Sequence, residues 1–504
     1  MIDQPRSPIE ALSDDPIVLK EIIGQLSGEV AHLKHIIHQL RRHQFGVRSE
    51  QIPEEQLIFG FYGRLETDRE KAAREKEAQP VPPREKKKGH GRRVIPPELP
   101  RVVVLHDVPE DEKTCSDCKE KLREFAREVS EQLEYHPGEL HVLQHVRPKY
   151  ACPNKCPGHI VVAPPATSPI ERGMAGPGLL AHTLDAKYNY HLPLYRIQTM
   201  LRNRGIELTR STLCGWVGQC VGLVRPIYAA VVRDILGSKV LHTDDTPVRV
   251  LEPGQGKARL ARLWAYVGDR QHYQVAYQFT LTREQQWAKE FLGDWKGYLQ
   301  ADAYPGYGQL YTGGTIVEVG CWAHVRRKFF DAQETNKTRA LLALAWIGRL
   351  YGVEKEARTL SSIERRALRQ ARSKPILEEI KAWLDGEIDR VPPRSPIAQA
   401  MQYARGQWGA LVRYLEDGDL DIDNNECERL IRGCCVGRKN YLFFGSEGGG
   451  EWGAVIYTLV ESAKLNGHDP FAYFKDVLVR VGAHPMRRID ELMPRLWKPP
   501  PSSS

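Results

Sequence analysis

Between Lys239 and Phe330, strand-like and helix-like stretches follow one another in an order that leaves little freedom in how a sheet can be built. Three successive runs, SKVLHTDDTPVRVL, ARLWAYVG and HYQVAYQFT, have the composition of β-strands. An amphipathic helix from about Arg283 to Leu292 follows, then a short strand that ends at Asp302 and a fifth strand that runs into a basic helix. Three antiparallel strands followed by helix–strand–helix–strand predict a mixed sheet flanked by helices.

The chain leaves this pattern after residue 330 and returns to it near residue 416. Residues 331–415 are helical in pattern almost throughout, so we expect an all-helical insert. In residues 421–449, DIDNNECERLIRGCCVGRKNYLFFGSEGG, a helix capped by Asn424 or Asn425 precedes an aromatic, strand-like run from Tyr441 to Phe444 and a glycine-rich tail. Two further helices, broken between Gly467 and Pro470, complete this part.

Three acidic residues occupy informative points in this order of elements. Asp244 lies on or at the end of the first strand, Asp302 follows the fourth strand, and Glu428 lies on the helix after the insert. Such acids can converge at one edge of a sheet, where three carboxylates can hold two divalent ions that activate water for attack on a phosphodiester. Oxygen ligands favour Mg²⁺ or Mn²⁺ over zinc. The alternative for each acid taken singly is an ordinary strand end or helix start.

Glu426 and Glu428 cannot both face the two aspartates. Residues two apart on a helix point about 200° apart, because each residue turns the helix by roughly 100°. Glu428 shares a stripe with Ile431 and Cys435, which borders the predicted packed face, whereas Glu426 shares a mixed face with Leu430. We therefore expect Glu428 to be the residue of the site. His242 and His324 are candidates to support it, or are packed structural histidines.

Two short-spaced cysteine pairs predict a zinc site. Cys115-x-x-Cys118 and Cys152-x-x-x-Cys156 are separated by 33 residues, and two such pairs can close a tetrahedral site of four thiolates. The alternating stretch VLQHVRPKYAC between them favours a strand that leads into the second pair. His159 is a possible substitute ligand, and unrelated free cysteines are the alternative.

The N-terminal segment carries leucines every seven residues. Leu12, Leu19, Leu26, Leu33 and Leu40 form this heptad, which predicts a coiled-coil dimerisation helix. The alternative is one amphipathic helix folded onto its own chain. From Arg84 to Arg93 the following linker has six cations and one acid, a composition that does not fold alone. It either binds phosphate backbones or serves as a solubilising tether, and the candidate contacts are Lys86, Lys87, Lys88, Arg92 and Arg93.

The stretch YRIQTMLRNRGIELTRSTLCGWVGQC has the spacing of a helix-turn-helix. We expect a helix, a turn at Gly205 and a second helix capped by Thr209 or Ser211. Arg202, Arg204 and Arg210 flank the turn and are candidate DNA contacts. A plain helical hairpin is the alternative.

Bulk properties agree with a nucleic-acid partner. The 504-residue chain has a net charge of +8, and its cations are clustered. No apolar run approaches the roughly 18 residues that a membrane span needs, and the N-terminus lacks a signal-peptide core. We therefore expect a cytoplasmic protein without a membrane partner.

Several long motifs closely resemble the large transposase of the insertion-sequence-66 family. They are HTDDTP (242–247), LQADAYPGY (299–307), GCWAHVRRKFF (320–330), DNNECERLIRGCCVGRKNYLFFGS (423–446), FGVRSEQ, GHGRRVIPPELPR and the paired cysteines. The resemblance covers nearly the whole chain in the expected order. Asp245 stands where the family often has Glu, and Gly433, Cys434 and Cys435 replace more usual residues.

The resemblance implies a DDE transposase with an RNase H-like catalytic domain that carries the helical insert. It implies that Asp244, Asp302 and Glu428 are the catalytic triad, and it places a zinc-finger-like region on Cys115, Cys118, Cys152 and Cys156. The enzyme would use Mg²⁺ or Mn²⁺ to cut the ends of its element and join them to target DNA. A nuclease or resolvase of the same fold and a non-catalytic DNA-binding relic are the alternatives.

The predicted partners are double-stranded DNA, a second copy or more of this chain, and companion proteins of the same element. The location implied is the bacterial cytoplasm, with the nucleoid when DNA is bound. Further phosphate contacts are expected from the two basic helices: Arg326, Arg327, Lys328, Arg429, Arg432, Arg438 and Lys439.

The predicted domains follow one another without overlap. In chain order they are a coiled-coil region (1–67), a basic linker (68–100), a zinc-binding domain (101–170), a helix-turn-helix-like region (171–236), the first part of the catalytic domain (237–330), the helical insert (331–415), the second part of the catalytic domain (416–483) and a tail (484–504).

Overall fold

The computed structural model describes residues 95–500, apart from positions 96, 98, 116, 118, 137, 152–159, 172 and 253–256, together with Val30 and Leu33. The described residues divide into two compact units, an α+β unit made of residues 95–321 and 419–500 and a helical unit, Trp322–Gly418. The rest of the predicted coiled coil, the linker cations and Cys118, Cys152, Cys156 and His159 lie outside the described residues. The α+β class predicted from the sequence is confirmed.

The α+β unit begins with a four-stranded sheet. Its strands are β1 (Arg101–Leu105), β2 (Arg123–His136), β3 (Glu139–Ala151) and β4 (Ile160–Val162). The strands β2 and β3 pair antiparallel along almost their whole length, β1 runs parallel to β3, and β4 is antiparallel to β3. The strand β3 therefore ends at the residue before Cys152, in agreement with the strand expected between the cysteine pairs.

Three helices follow: α1 (Pro177–Tyr188), α2 (Leu194–Arg202) and α3 (Arg210–Ile235). The turn between α2 and α3 contains Gly205 with φ +82°, a value that glycine adopts without strain. The Thr209 side chain caps α3 by accepting a hydrogen bond from the backbone N–H of Thr212 at 3.1 Å. The two helices are present with the predicted turn and cap, an arrangement that a DNA-binding helix-turn-helix and a plain helical hairpin share.

By length and composition alone, α3 is long and apolar enough to cross a membrane. No such stretch is expected from the sequence. The side of α3 that carries Trp216, Cys220 and Ile227 is buried in the core of the α+β unit. Pro226 lies within the helix. The apolar composition of α3 is explained by this packing, since core helices pass the same test.

The central sheet has five strands, with two short helices between them. In chain order the elements are β5 (Val240–Leu251), β6 (Ala258–Val267), β7 (Val275–Thr280), α4 (Gln285–Leu292), β8 (Gly297–Gln300), α5 (Gly308–Tyr311) and β9 (Ile316–Val319). The spatial order is β7-β6-β5-β8-β9. The strands β5, β6 and β7 are antiparallel, whereas β8 and β9 run parallel to β5. This is the mixed sheet predicted from the sequence.

The helical unit comprises α6 (Trp322–Asp331), α7 (Lys337–Ala357), α8 (Ser362–Leu368), α9 (Lys374–Glu387), α10 (Pro396–Gly406) and α11 (Trp408–Val412). A π-helical turn, Arg369–Ser373, joins α8 to α9. The buried Arg369 guanidinium pairs with Glu354 at 2.6 Å and donates to the backbone carbonyls of Tyr414 and Asp417. This arginine is therefore compensated by an acid and by carbonyl groups, as a buried charge requires.

The chain returns to the α+β unit with α12 (Asn425–Tyr441), α13 (Glu447–Leu465) and α14 (Pro470–Arg480). Both α12 and α13 pack on one face of the central sheet, where the Tyr277 hydroxyl donates to the carbonyl of Leu430 and the Thr458 hydroxyl accepts the N–H of Tyr277. On the opposite face, Tyr266 stacks on Phe291 of α4 with ring centroids 3.8 Å apart. Helices thus cover both faces.

Two predictions for the C-terminal part are wrong. Residues 441–444 are not a strand, because α12 continues to Tyr441 and only Phe444 bridges to Val250 of β5. The glycine-rich run is not a tail but the first turn of α13. A Cβ at Gly450 would lie 2.4 Å from the Phe279 ring. Glycine allows that close approach.

The predicted tail is also largely structured. Residues 486–492 form a 3₁₀ helix. Leu492 and Trp497 are buried, and Arg495 pairs with Asp234 at 2.6 Å. The polar and proline-rich composition of this segment did not predict that its few apolar side chains would be buried.

Candidate active site

The register of two parallel strands brings Asp244 and Asp302 to one edge of the central sheet. His242 on β5 pairs with Gln300, the last residue of β8. Asp244 and Asp302 each lie two residues further along, so they occupy equivalent positions beyond the last paired residues. Because side chains alternate along a strand, Asp244 is on the same face of β5 as His242.

The charges of three acidic neighbours reach Asp244. Burial raises the pKa of the Asp244 carboxyl to about 7. The negative charges of Asp302, Asp245 and Glu428 contribute to this rise in pKa, and the hydrogen bond from the backbone N–H of Asp245 opposes it. The three acids picked out from the sequence are therefore near one another, and a bound cation would offset their mutual repulsion.

A buried asparagine attaches the start of α12 to β5. The Asn424 side chain donates to the carbonyl oxygen of Thr243 at 2.8 Å, and its Oδ1 is 3.2 Å from Nδ1 of His242. The backbone N–H of Asn424 donates to Sγ of Cys321 at 3.3 Å. These bonds fix the helix end four residues before Glu428. His242 is buried, and its other ring nitrogen, Nε2, lies 3.6 Å from Oδ2 of Asp421.

Glu426 and Glu428 have different surroundings, as helical geometry predicts. The Tyr273 hydroxyl donates a short hydrogen bond to the Glu426 carboxylate. On the Glu428 stripe, Sγ of Cys435 is 3.2 Å from Oγ1 of Thr246 on β5. Because Thr246 lies two residues after Asp244 on the same face of the strand, the Glu428 stripe is the one directed at β5.

A second group of charges, which residue spacing does not predict, surrounds Asp245. The Asp245 side chain is only 1% exposed, and its two oxygens accept from Arg262 at 2.9 Å and from Arg283 at 2.7 Å. Nη2 of Arg283 is also 3.9 Å from Oδ2 of Asp302. The only available signal was Arg283 at the start of a predicted helix, and nothing in the pattern links it to Asp245.

The cations of α12 are of two kinds. Arg429, Arg432 and Lys439 are exposed on one side of the helix, and within the described part of the chain no acidic side chain pairs with them. Arg438 is instead half-buried and donates to Oγ1 of Thr246 at 2.6 Å and to the carbonyl of Pro247. Arg438 therefore ties α12 to β5, whereas the other three face solvent.

The remaining described cations of the prediction lie on other helices. Arg202, Arg204 and Arg210 are exposed around the turn between α2 and α3. In the helical unit, α6 exposes Arg326, Arg327 and Lys328, and Nζ of Lys328 lies 4.5 Å from the Tyr403 ring centroid.

Cys115 is the one predicted zinc ligand within the described residues, and it is buried. Its backbone N–H donates to the carbonyl of Glu120, and its carbonyl accepts from the N–H of Lys119, which has φ +60°. The backbone of Cys115 is thus bonded to that of both Lys119 and Glu120.

Comparisons with known families match nearly the whole chain. A family model described as "Transposase IS66 family" matches residues 172–452, and one described as "IS66 C-terminal element" matches residues 458–495. "Zinc-finger binding domain of transposase IS66" matches residues 112–156, and "Transposase C of IS166 homeodomain" matches residues 32–104.

Three curated relatives come from Sinorhizobium fredii, and each is named only as an uncharacterized protein. The protein y4jD is 31% identical over 97% of this chain and 98% of its own length. The protein y4qI is 32% identical over 95% of this chain and 92% of its own. The protein y4hP is 30% identical over 81% and 77%, respectively.

Proposed function

The chain belongs to the IS66 transposase family, and we propose that it cuts the ends of its insertion sequence and joins them to target DNA with Asp244, Asp302 and Glu428 as the catalytic carboxylates. The observation that supports this most is the shared register of Asp244 and Asp302 beyond parallel strands, with Glu428 on a helix fixed to the same strand. The mixed strand order, with helices on both faces, supports an RNase H-like fold for this unit.

The donor set of the proposed centre fits Mg²⁺ or Mn²⁺. The three residues offer carboxylate oxygens, which these ions prefer, and the raised pKa of Asp244 reflects burial and repulsion that a cation would offset. When bound, two such ions activate a water and stabilise a leaving oxygen.

The three carboxylates would act in two reactions of the same kind. In cleavage, a water oxygen bonds to phosphorus at the element's end and the bond to the 3′ oxygen breaks, which frees a 3′-hydroxyl. In joining, that hydroxyl attacks a target phosphodiester, and the target's 3′ oxygen leaves. The role of the chain is to hold both oxygens in line at one edge of the sheet.

DNA would be held by the exposed cations already described. Arg429, Arg432 and Lys439 lie on the helix that carries Glu428, so phosphates bound there would pass close to the carboxylates. The arginines around Gly205 and the cations of α6 are further candidate contacts, as are Lys86, Lys87, Lys88, Arg92 and Arg93 of the linker.

We also propose a homodimer or larger assembly formed through the N-terminal heptads. Val30 and Leu33, which are described, are helical and 49% and 56% exposed in the single chain. Apolar side chains three apart on a helix need a partner surface. We propose further that the protein acts in the cytoplasm, on the nucleoid, together with companion proteins of the same element.

The test is incubation of the purified protein with labelled element ends, target DNA and Mg²⁺, with cleaved and joined products scored separately. The proposal expects both products from the wild type and neither from Asp244→Asn. Cleavage without joining would identify a nuclease or resolvase. DNA binding without either product would identify a non-catalytic relic.

Zinc is proposed on Cys115, Cys118, Cys152 and Cys156. Freshly purified protein should contain about one zinc per chain, because one closed tetrahedral site holds one ion. Cys115→Ser should lose that zinc and lower the melting temperature, since metal binding supplies folding energy to a small unit. Metal analysis that finds no zinc in the wild type would exclude the site.

A further inference from the structure

A guanidinium group lies beside the catalytic carboxylates, on the face of the sheet opposite Glu428. Asp244 and Asp245 are neighbours on β5, so their side chains point to opposite faces. Asp244 shares its face with α12, and Asp245 shares its face with α4, which begins just after Arg283. Arg283 therefore approaches the edge of the sheet from the second face.

Two neighbours hold the Arg283 guanidinium in place. Nε and Nη2 donate to Oδ1 of Asp245 at 2.8 and 2.7 Å. The guanidinium carbon lies 3.7 Å from the Tyr304 ring centroid, and the Tyr304 hydroxyl donates to the backbone carbonyl of Arg283 at 2.6 Å. The backbone N–H of Tyr304 donates to Oδ1 of Asp302 at 3.3 Å. The arginine and the second catalytic aspartate are thus joined through one tyrosine.

Two guanidinium groups contact the Asp245 carboxylate, although one is enough to neutralise its charge. Its buried charge is already compensated by Arg262 at 2.9 Å. The second cation, Arg283, adds a positive charge 3.9 Å from Asp302, and its side chain is 33% exposed. A guanidinium has five N–H donors, of which Asp245 takes two. Donors therefore remain for a ligand at the carboxylate edge.

We propose that Arg283 binds a phosphate of the DNA strand beside the three catalytic carboxylates, and that Asp245 is the positioning residue that holds it there. The inference rests on the proposed function, because it takes DNA to be the ligand of that edge. A fixed guanidinium suits a phosphate, since its planar donors match two oxygens at once. It would also offset the repulsion between the carboxylates and the approaching DNA.

The test is a binding experiment on phosphates made neutral one at a time. Element-end DNA carrying single methylphosphonates near the cleavage point is titrated with wild type and with Arg283→Ala in Ca²⁺, where binding is measured without cleavage. At one position the neutral linkage should weaken wild-type binding about 10-fold, the size of a lost charged hydrogen bond. The same linkage should weaken DNA binding by the Arg283→Ala variant by less than about 2-fold. Arg233→Ala, which removes a surface cation paired with Asp490, should behave like wild type.

A second measurement uses cleavage in Mg²⁺ and tests the role of Asp245. Single-turnover cleavage should fall about 100-fold in Arg283→Ala, as for other removed transition-state donors. Arg283→Lys should recover part of that loss. Asp245→Asn should show the same loss, and Asp245→Glu, which restores a carboxylate for Arg283, should recover cleavage. Melting temperatures establish that each variant is folded.

The outcomes separate this inference from the proposed function. Equal sensitivity of wild type and Arg283→Ala to every neutral linkage would overturn the phosphate contact, whether or not the protein cleaves. A wild type that binds DNA but never cleaves would overturn the proposed function while the binding comparison still decides on Arg283. If Arg283→Ala does not fold, Arg283→Lys supplies the same comparison, with a reduced effect expected.

Discussion

At the scale of single residues, the two glutamates at the start of α12 differ in what their carboxylates touch. Glu426 accepts a hydrogen bond from Tyr273, whereas the charge of Glu428 contributes to the raised pKa of Asp244. A glutamine at position 426 keeps an oxygen that can accept the tyrosine's hydrogen bond. A glutamine at position 428 removes a charge that the proposed metal site needs.

We therefore predict that Glu428→Gln abolishes both cleavage and joining, weakens Mn²⁺ binding and leaves DNA binding largely intact. Glu426→Gln should keep most of the activity. The activity assay run on both variants provides the matched comparison. An active Glu428→Gln protein, or a folded but inactive Glu426→Gln protein, would contradict the assignment.

Asp185 on α1 is a buried acid outside the site. Burial raises the pKa of its carboxyl to about 6, and the carboxylate accepts a hydrogen bond from the Asn189 side chain at 3.0 Å. The nearby charges oppose each other, since Asp469 raises this pKa and Lys464 lowers it. The folded state therefore keeps a proton that the unfolded state releases, and stability falls as pH rises from about 4 to about 6.

Asp185→Asn should be more stable than wild type above pH 6, by about 1–3 kcal/mol at about 1.4 kcal/mol per pKa unit. The amide oxygen can still accept the Asn189 hydrogen bond but carries no charge to desolvate. Chemical unfolding at pH 4 and pH 7 measures the effect. A difference that is the same at both pH values would show that ionisation is not its cause.

The charged residues that sequence reasoning missed share a physical reason. Asp245 and Arg283 are 38 positions apart and meet only because β5 and the loop before α4 lie at the same edge. Arg438 looked like a phosphate contact, yet it donates to Thr246 and Pro247. Long-range pairing of charges depends on tertiary geometry, which residue spacing does not reveal.

At the scale of elements, the glycines of α12 show how closely this helix approaches its neighbours. A Cβ at Gly437 would lie 2.8 Å from the Tyr457 hydroxyl and 3.0 Å from Nδ1 of His191. A Cβ at Gly433 would meet only the end of the Glu461 side chain at 3.1 Å. One position is required for packing, and the other mainly lowers helix propensity.

Gly437→Ala should lower the free energy of unfolding by about 1–3 kcal/mol, as expected for overpacking. Gly433→Ala should stay within about 1 kcal/mol of wild type, because the gain in helix propensity offsets a small displacement of Glu461. Urea unfolding of the two variants compares them directly. Equal destabilisation would mean that Gly433 is also required for close packing.

The elements of the central sheet followed from local patterns, because strands alternate and turns have characteristic residues. The order of β5 to β9 and the position at which α12 begins agree with the prediction, but Asn424 does not cap the helix, because its side chain bonds to β5 instead. The prediction of a glycine-rich tail before Trp452 is wrong, because these residues begin α13. Glycines usually break helices, but Gly450 and Gly453 of α13 lie so close to the rings of Phe279 and Phe444 that a Cβ would come within 2.4 and 2.8 Å of them.

At the scale of the whole molecule, the proposed DNA contacts predict how affinity for DNA should depend on salt concentration. Arg429, Arg432 and Lys439 have no acidic partner in the described part of the chain, so each can release a counterion from DNA. Cations that already pair with an acid release fewer.

Replacing Arg429, Arg432 and Lys439 with Ala should reduce the slope of log affinity against log salt by about 2–3, at about 0.9 per phosphate contact. The control replaces Arg349, Arg372 and Lys381, which pair with Glu379, Glu356 and Asp385 on the helical unit. Its slope should change less. If the slope falls equally in both triple variants, the salt dependence reflects the net charge of the protein and not contacts made by these three cations.

The α+β unit is built from two stretches of chain that are far apart in sequence, and this has a consequence during translation. Asp244 and Asp302 leave the ribosome before the whole helical unit, and Glu428 follows more than a hundred residues later. At about 5–20 residues per second, that interval is on the order of 10 s. Trp497, which closes the core of the unit, is made at the very end. A nascent or truncated chain would therefore carry Asp244 and Asp302 without Glu428, so the proposed catalytic centre would stay incomplete until the end of synthesis.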